Sequence, residues 1–156
     1  MFKQLCLTVS ILLSCISPSI AGEVRDFFPK QNLPQFLAEH FDLSTIRSSF
    51  GPKRERGKSA FLTHFYSSPN VDADSITVDT DGWLYQLKVL GVKDENGDGV
   101  QDVIVCFKDK ANNGGTYNIN RPYLITRYSN DMPAIALAFS PYNENCIDTS
   151  EENHNH

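Results

Sequence analysis

The stretch WLYQLKVLGVKDENGDGVQDVIVCFK, residues 83–108, decides the fold of this chain. Bulky apolar residues stand at every second position in two runs: Trp83, Tyr85, Leu87 and Val89 in the first, and Val103, Val105 and Phe107 in the second. Such a period of two is typical of β-strands that bury one face. Between the two runs lies DENGDGVQD, residues 94–102, rich in the Asp, Asn and Gly that favour tight turns. The sequence therefore predicts a β-hairpin with residues 94–102 at its tip.

The tip also has the spacing of a calcium-binding loop. With Asp94 as position 1, oxygen-bearing side chains stand at positions 1, 3, 5 and 9, and a glycine stands at position 6. Calcium takes about six to eight oxygen ligands at about 2.3–2.6 Å, which a short loop supplies when alternate side chains converge at a sharp bend. An EF-hand would need a bidentate Glu at position 12, where Val105 stands, so that motif is not predicted. The predicted ligands are the side chains of Asp94, Asn96, Asp98 and Asp102 and the carbonyl of Val100.

The segment from Asp94 to Val105 resembles the FG-GAP and integrin-propeller type of calcium loop, in which an Asp-x-Asp/Asn-x-Asp-Gly-x-x-Asp run joins two β-strands. The resemblance implies that calcium is held by the five ligands just named and stabilises the hairpin. Only one copy is present, so a propeller is not implied. The arrangement of a signal, leading helices and a lone loop also resembles exported bacterial proteins that carry one such hairpin. The alternative is a metal-free turn, but such a turn has no need of the oxygen that Asp102 adds at position 9.

The first 21 residues predict an export signal. Lys3 supplies a positive charge, residues 5–16 form an apolar run, and small residues lead up to Ala21, after which we expect cleavage. In the alternative reading, Leu-Leu-Ser-Cys is a lipidation motif and Cys15 becomes the lipidated first residue of a lipoprotein. The apolar run is shorter than the about 20 residues that span a membrane. We expect a secreted or periplasmic protein without a transmembrane segment.

The remaining chain is the size of one domain. Removing 21 of the 156 residues leaves 135, and we predict a single α+β domain over residues 22–148 with a disordered acidic tail over residues 149–156. The loss of Lys3 leaves 13 Lys and Arg against 19 Asp and Glu, a net charge of −6. This acidic balance argues against nucleic acid as a partner, and we expect a monomer.

Two of the four cysteines, Cys106 and Cys146, lie outside the signal. An even pair in an exported chain predicts one disulfide bond, which would close a loop of about 40 residues and contribute about 4 kcal/mol in the chain-entropy model. The alternative is a reactive or metal-binding thiol.

Outside the hairpin, the pattern is helical first and strand-like afterwards. Leu33, Phe36 and Leu37 have helical spacing, with Asn32 as the predicted N-cap and Pro34 in the first turn. A second short helix begins at Asp42 or Ser44 and ends before Gly51-Pro52. We predict an antiparallel sheet of five or six strands with one or two N-terminal helices packed on one face. Besides the hairpin, strands are predicted at residues 61–66, 76–78, 123–128 and 134–139.

The sequence contains none of the common local catalytic motifs, such as Gly-x-Ser-x-Gly or His-Glu-x-x-His. The leading hypothesis is therefore an exported, non-enzymatic calcium-binding module that binds a partner or associates with the envelope. The alternative is a small secreted hydrolase that uses acidic residues or His64 in a cleft. The basic run Lys53, Arg54, Arg56 and Lys58 predicts a solvated loop, or alternatively a site for an anionic ligand such as a phosphate or lipid headgroup.

Overall fold

The computed structural model describes residues 22–47, residues 56–137 and residue 146. The helices are α1, Leu33–His40, and α2, Phe61–His64, and a 3₁₀ turn covers Leu43–Thr45. The strands are β1, Phe41–Asp42; β2, Asn70–Val71; β3, Ser75–Thr80; β4, Trp83–Lys93; β5, Asp102–Ala111; β6, Asn118–Thr126; and β7, Ala134–Ala136.

These strands form one sheet in the order β1-β7-β6-β5-β4-β3-β2. All neighbours are antiparallel except β1 and β7, which are parallel. The predicted α+β class is confirmed. The predicted count of five or six strands and the wholly antiparallel sheet are wrong, because the described residues contain seven strands and one parallel pair. Strands β1 and β2 have only two residues each, too few to leave an alternating pattern in the sequence.

The predicted hairpin is confirmed as β4 and β5, the centre of the sheet. Their pairing runs from Trp83 opposite Ala111 to Lys93 opposite Asp102. The register shifts between Val89 and Gly91, so that a bulge in β4 re-aligns the residues that lead into the tip. Strand β6 pairs with the other edge of β5, which brings the end of β6 beside the tip.

The core lies between one face of the sheet and the helices. On β4 and β5, Leu87 and Phe107 are directly paired and buried. Leu37 of α1 and Phe61 of α2 are fully buried in the same cluster. The predicted packing of N-terminal helices on the sheet therefore holds for α1, whose apolar residues recur every three or four positions.

The disulfide bond between Cys106 and Cys146 is confirmed, with a Cα–Cα distance of 5.3 Å. Cys106 lies in β5, and Cys146 is buried. The bond therefore ties a residue far along the chain to the central strand.

Two local predictions need correction. Residues 61–66 were expected to form a strand, but Phe61–His64 is a helix. Phe61 and Phe65 are four residues apart, a spacing that fits one face of a strand and one face of a helix equally well. Within this helix the Thr63 hydroxyl donates to the Ala60 carbonyl at 3.1 Å, and Phe61 is fully buried in the core. Asn32 precedes α1 in the left-handed conformation, φ 56°, and its side chain makes no capping hydrogen bond.

Several predictions fall outside the described residues: the export signal and Cys15, the end of the second predicted helix, Lys53 and Arg54, residues 138–139 of the last strand, and the tail. Within the ranges that are described, no helix has both the length and the apolar character needed to cross a bilayer.

Candidate metal-binding loop

Residues 94–101 connect β4 to β5, and Asp102 is the first residue of β5. The bend depends on Gly97 and Gly99, which have φ values of 74° and 77°. In this left-handed region a side chain is strained, so glycine is required for the chain to turn this tightly.

The Asp94 carboxylate organises the turn from inside. Its Oδ1 accepts hydrogen bonds from the N–H groups of Gly97 at 2.8 Å and Asp98 at 3.1 Å. Its Oδ2 accepts from the N–H of Gly99 at 2.9 Å. Position 1 of the loop therefore points inward, where the pattern predicts a ligand.

Asn96 and Asp98 continue this arrangement. Asn96 Oδ1 accepts from the Asp98 N–H at 3.0 Å, and Asp98 Oδ1 accepts from the Val100 N–H at 2.9 Å. The other Asp98 oxygen accepts from the Asn96 amide at 3.1 Å and from the Tyr128 hydroxyl at 3.3 Å. A metal-free turn would also use these bonds, so they do not by themselves indicate a cation.

The orientation of the Val100 carbonyl follows from its neighbours. Val100 forms a parallel bridge with Arg25, in which Arg25 N–H donates to Gly99 O at 2.9 Å and Gln101 N–H donates to Arg25 O at 2.8 Å. In extended backbone the N–H and C=O of one residue point to the same side, opposite to those of its neighbours. The Val100 carbonyl therefore points to the same side of the chain as the Val100 N–H, which donates to Asp98 Oδ1 inside the loop.

Asp102 differs from the other loop residues because it is completely buried. Its Oδ2 accepts from the Glu95 N–H at 3.2 Å. Its Oδ1 has no hydrogen-bond partner among the described residues, and neither has the buried hydroxyl of Thr126, the residue directly opposite in β6. This leaves two buried oxygens without ordinary hydrogen bonds at the base of the loop.

Burial raises the pKa of the Asp102 carboxyl above its ordinary value of 3.8, and the charge of Asp98 acts in the same direction. The Thr126 hydroxyl and the backbone N–H groups of Glu95 and Asn96 partly offset this rise. The Thr126 hydroxyl favours the ionised form of Asp102, although the two groups do not form a regular hydrogen bond. The folded protein thus disfavours the charge on Asp102 unless a cation compensates for it.

The donor chemistry fits a calcium ion. All five predicted ligands offer oxygen, which suits a hard dication, and Asp102 Oδ1, which has no regular hydrogen bond within the described residues, is one more acceptor. However, Asp94, Asp98 and Asp102 do not form a close three-carboxylate group in the described part of the chain. The described loop is therefore more open than a filled site, and its side chains would have to close to hold an ion.

The other candidate residues lie elsewhere. His64 Nδ1 is 3.1 Å from the Lys58 carbonyl oxygen, and its ring lies against Phe65, with 4.9 Å between centroids. Of the basic run, Arg56 is exposed, and Lys58 Nζ lies 5.0 Å from the centre of the Tyr66 ring. The structure therefore places neither His64 nor the two described residues of the basic run, Arg56 and Lys58, among the loop residues.

A cavity of about 220 Å³ lies beside Arg127 and is lined also by Glu39, His40 and Asp131. The guanidinium donates to the carbonyl oxygens of Phe27 at 2.7 Å and Met132 at 2.9 Å, and to that of Asn130. Arg127 thus binds main chain on three sides, which is a structural use of its donors. The hydrolase alternative stays a prediction.

Sequence reasoning missed three residues of the loop's surroundings: Arg25, Thr126 and Tyr128. Arg25 contributes only its main chain, for which the sequence carries no signal. Thr126 and Tyr128 are brought to the loop by the pairing of β6 with β5, since Thr126 lies directly opposite Asp102. Thr126 and Tyr128 could have been identified only from the pairing register of β5 and β6.

No protein-family model, curated protein or solved structure matches this chain. The resemblance of residues 94–105 to a propeller-type calcium loop therefore stays a prediction.

Proposed function

We propose that residues 94–102 bind one calcium ion, and that the chain is an exported, non-enzymatic calcium-binding module that binds a partner or associates with the cell envelope. The observation that carries the proposal is the fully buried Asp102 carboxylate, whose Oδ1 has no hydrogen-bond partner in the described residues. A buried carboxylate without full hydrogen bonding is costly, and proteins relieve it by protonation, by pairing or by metal coordination.

Calcium relieves that cost better than a proton does. The loop carries three more acidic residues, Asp94, Glu95 and Asp98, and among the described residues only Glu95 forms an ion pair, with Lys93. Protonating Asp102 would leave the charges of Asp94 and Asp98 in place. A dication held by the carboxylates of positions 1, 5 and 9, the Asn96 amide oxygen and the Val100 carbonyl would offset two of the three negative charges of Asp94, Asp98 and Asp102. The lack of sulfur or imidazole donors among these five favours calcium over the softer transition metals.

The position of the loop favours a structural role for the ion. It joins the two longest strands, β4 and β5, and its last residue faces β6. An ion there would fix the end of the central hairpin relative to β6. Extracellular modules of this kind bind calcium with dissociation constants of about 10⁻⁴ to 10⁻³ M, which suits a compartment where the ion is abundant.

Two further features support export. The predicted signal of residues 1–21 directs the chain out of the cytoplasm. The Cys106–Cys146 disulfide is the kind of bond that persists in oxidising compartments. The non-enzymatic part of the proposal is supported by the sequence, which contains none of the common local catalytic motifs, and by Arg127, whose guanidinium donates to main-chain carbonyls.

Titration calorimetry of residues 22–156 with calcium tests the proposal. We expect one ion per chain with a dissociation constant of about 10⁻⁴ to 10⁻³ M. Asp98→Asn keeps the acceptor for the Val100 N–H but removes a charge, so it should weaken binding about tenfold, which is about 1.4 kcal/mol.

Asp81→Asn is the matched control. It makes the same change at an exposed position in the turn between β3 and β4, and it should leave calcium binding unchanged. Absence of any calcium-dependent heat from the unsubstituted protein at about 10 mM calcium would overturn the proposal.

A further inference from the structure

We propose that the N-terminal strap, residues 22–28, is part of the calcium site, and that Arg25 and Tyr128 are positioning residues for its ligands Val100 and Asp98. This inference rests on the proposed calcium binding and deepens it. It predicts that calcium binding and docking of the strap strengthen each other.

The strap reaches the loop through main-chain hydrogen bonds. The two bonds of Arg25, to Gly99 O and from Gln101 N–H, enclose Val100 on both sides. They hold Val100 in the extended conformation that turns its carbonyl toward the loop interior. Loss of this pairing would free the peptide groups on either side of Val100 and let the carbonyl rotate away.

The other end of the strap is anchored in the core. Phe28 is buried and packs edge-on against Phe36, with 6.0 Å between ring centroids. The Phe27 carbonyl accepts from Arg127 Nη1 at 2.7 Å. The strap is therefore fixed at residues 27–28 independently of any ion, while the described hydrogen bonds of Arg25 run only to the loop. The part that calcium would order is the part nearest the loop.

Tyr128 connects the same loop to β6. It follows Arg127 directly, and its hydroxyl lies 3.3 Å from Asp98 Oδ2. Two adjacent residues at the end of β6 thus hold the strap and a ligand of the loop. Because the Tyr128 hydroxyl donates to Asp98 Oδ2, the other oxygen, Asp98 Oδ1, stays oriented toward the Val100 N–H and the loop interior. Groups that hydrogen-bond to a metal ligand orient it in this way and raise the affinity for the metal.

Hydrogen exchange of the unsubstituted protein with and without calcium tests the coupling directly. The amides of Arg25 and Gln101 bridge strap and loop, so saturating calcium should slow their exchange by about fivefold or more. The amide of Asp72, bonded to Ser75 O at the far edge of the sheet, is the internal control and should not change. Equal exchange at Arg25 and Gln101 in both conditions would overturn the inference.

Reciprocity supplies the second test, because a coupling between two binding events acts equally on both. Arg25→Pro removes the N–H that bonds Gly99 O, and Tyr128→Phe removes the hydroxyl that bonds Asp98. Each should raise the calcium dissociation constant about fivefold or more, measured by calorimetry, while the melting temperatures without calcium change little.

Two matched controls accompany these variants. Glu23→Pro introduces proline at a position in the strap whose N–H makes no hydrogen bond within the described residues, and Tyr66→Phe removes a hydroxyl from a fully exposed tyrosine. Neither should affect calcium binding. If calcium binds the unsubstituted protein but both test variants match it, the strap inference fails and the calcium proposal survives. If no calcium binds at all, both fail.

Discussion

Replacing Asp102 by asparagine separates the cost of a buried charge from the benefit of a metal ligand. Because burial raises the folded-state pKa of Asp102 above 3.8, the contribution of its carboxyl to stability is full below pH 3.8 and is lost as the pH rises through the folded-state value. At neutral pH without calcium the ionised group therefore destabilises the fold. Asp102→Asn keeps an acceptor for the Glu95 N–H and adds a donor that can reach Thr126, so the calcium-free variant should be at least as stable as the unsubstituted protein.

With calcium bound, the unsubstituted protein should be more stable than Asp102→Asn. For dissociation constants of about 10⁻³ to 10⁻⁴ M, about 10 mM calcium stabilises the folded state by about 1.4 to 2.7 kcal/mol. For a domain of this size that corresponds to a rise in melting temperature of about 5 to 10 °C. Removing the Asp102 charge should weaken binding at least about tenfold, which removes about 1 to 1.4 kcal/mol of the increment.

The assay is thermal unfolding at neutral pH, with calcium or with a chelator, followed by circular dichroism. The unsubstituted protein should gain several degrees with calcium and Asp102→Asn much less, while Asp81→Asn should gain as much as the unsubstituted protein. A variant that is strongly destabilised without calcium would show that the Asp102 charge is satisfied inside the fold. A variant that keeps the full calcium increment would show that Asp102 is not a ligand. Either result refutes the reasoning.

Three further predictions concern the rest of the fold. Gly99→Ala should cost about 1 kcal/mol because φ is 77°, whereas Gly91→Ala, where φ is not left-handed and a Cβ meets open space, should change stability by less than about 0.5 kcal/mol in urea unfolding. Reducing the Cys106–Cys146 bond should lower the free energy of unfolding by about 4 kcal/mol, and an unchanged denaturation midpoint would contradict this. Burial, then the charge of Asp109, raises the pKa of Tyr85 from 10.0 to about 12. The contribution of the Tyr85 hydroxyl to stability is therefore full below pH 10 and is lost as the pH rises toward 12. Tyr85→Phe should reduce this loss of stability in alkaline unfolding.

The central hairpin could be predicted from the sequence because its signals agree. Bulky apolar residues stand at every second position from Trp83 to Val89 and from Val103 to Phe107, and Gly97 and Gly99 stand where the bend requires left-handed backbone. Helix α1 could also be predicted from the sequence, because Leu33, Phe36 and Leu37 follow the helical period and Pro34 stands in the first turn. Local propensity and burial pattern point to the same structure in both segments.

The missed features depend on contacts that local patterns do not encode. The strand predicted at residues 61–66 rests on the alternation of Phe61, Thr63 and Phe65 with their neighbours, whereas residues 61–64 form a helix that packs Phe61 into the core. The parallel pairing of β1 with β7 and the bridge of Arg25 to Val100 are main-chain contacts between distant segments. For the loop, spacing identified the oxygens at positions 1, 3, 5 and 9. It could not reveal that Asp102 is buried with one oxygen that lacks a hydrogen-bond partner among the described residues.

A crystal structure of the protein grown with calcium tests the central claim most directly. We predict a single ion within the loop, bound at about 2.3–2.6 Å by oxygens of Asp94, Asn96, Asp98, Val100 and Asp102. Asp102 Oδ1, which lacks a hydrogen-bond partner in the described residues, should be one of them. A loop that keeps its tight turn at saturating calcium, with only a water molecule or the Thr126 hydroxyl against Asp102 Oδ1, would contradict the claim that this loop is a calcium site.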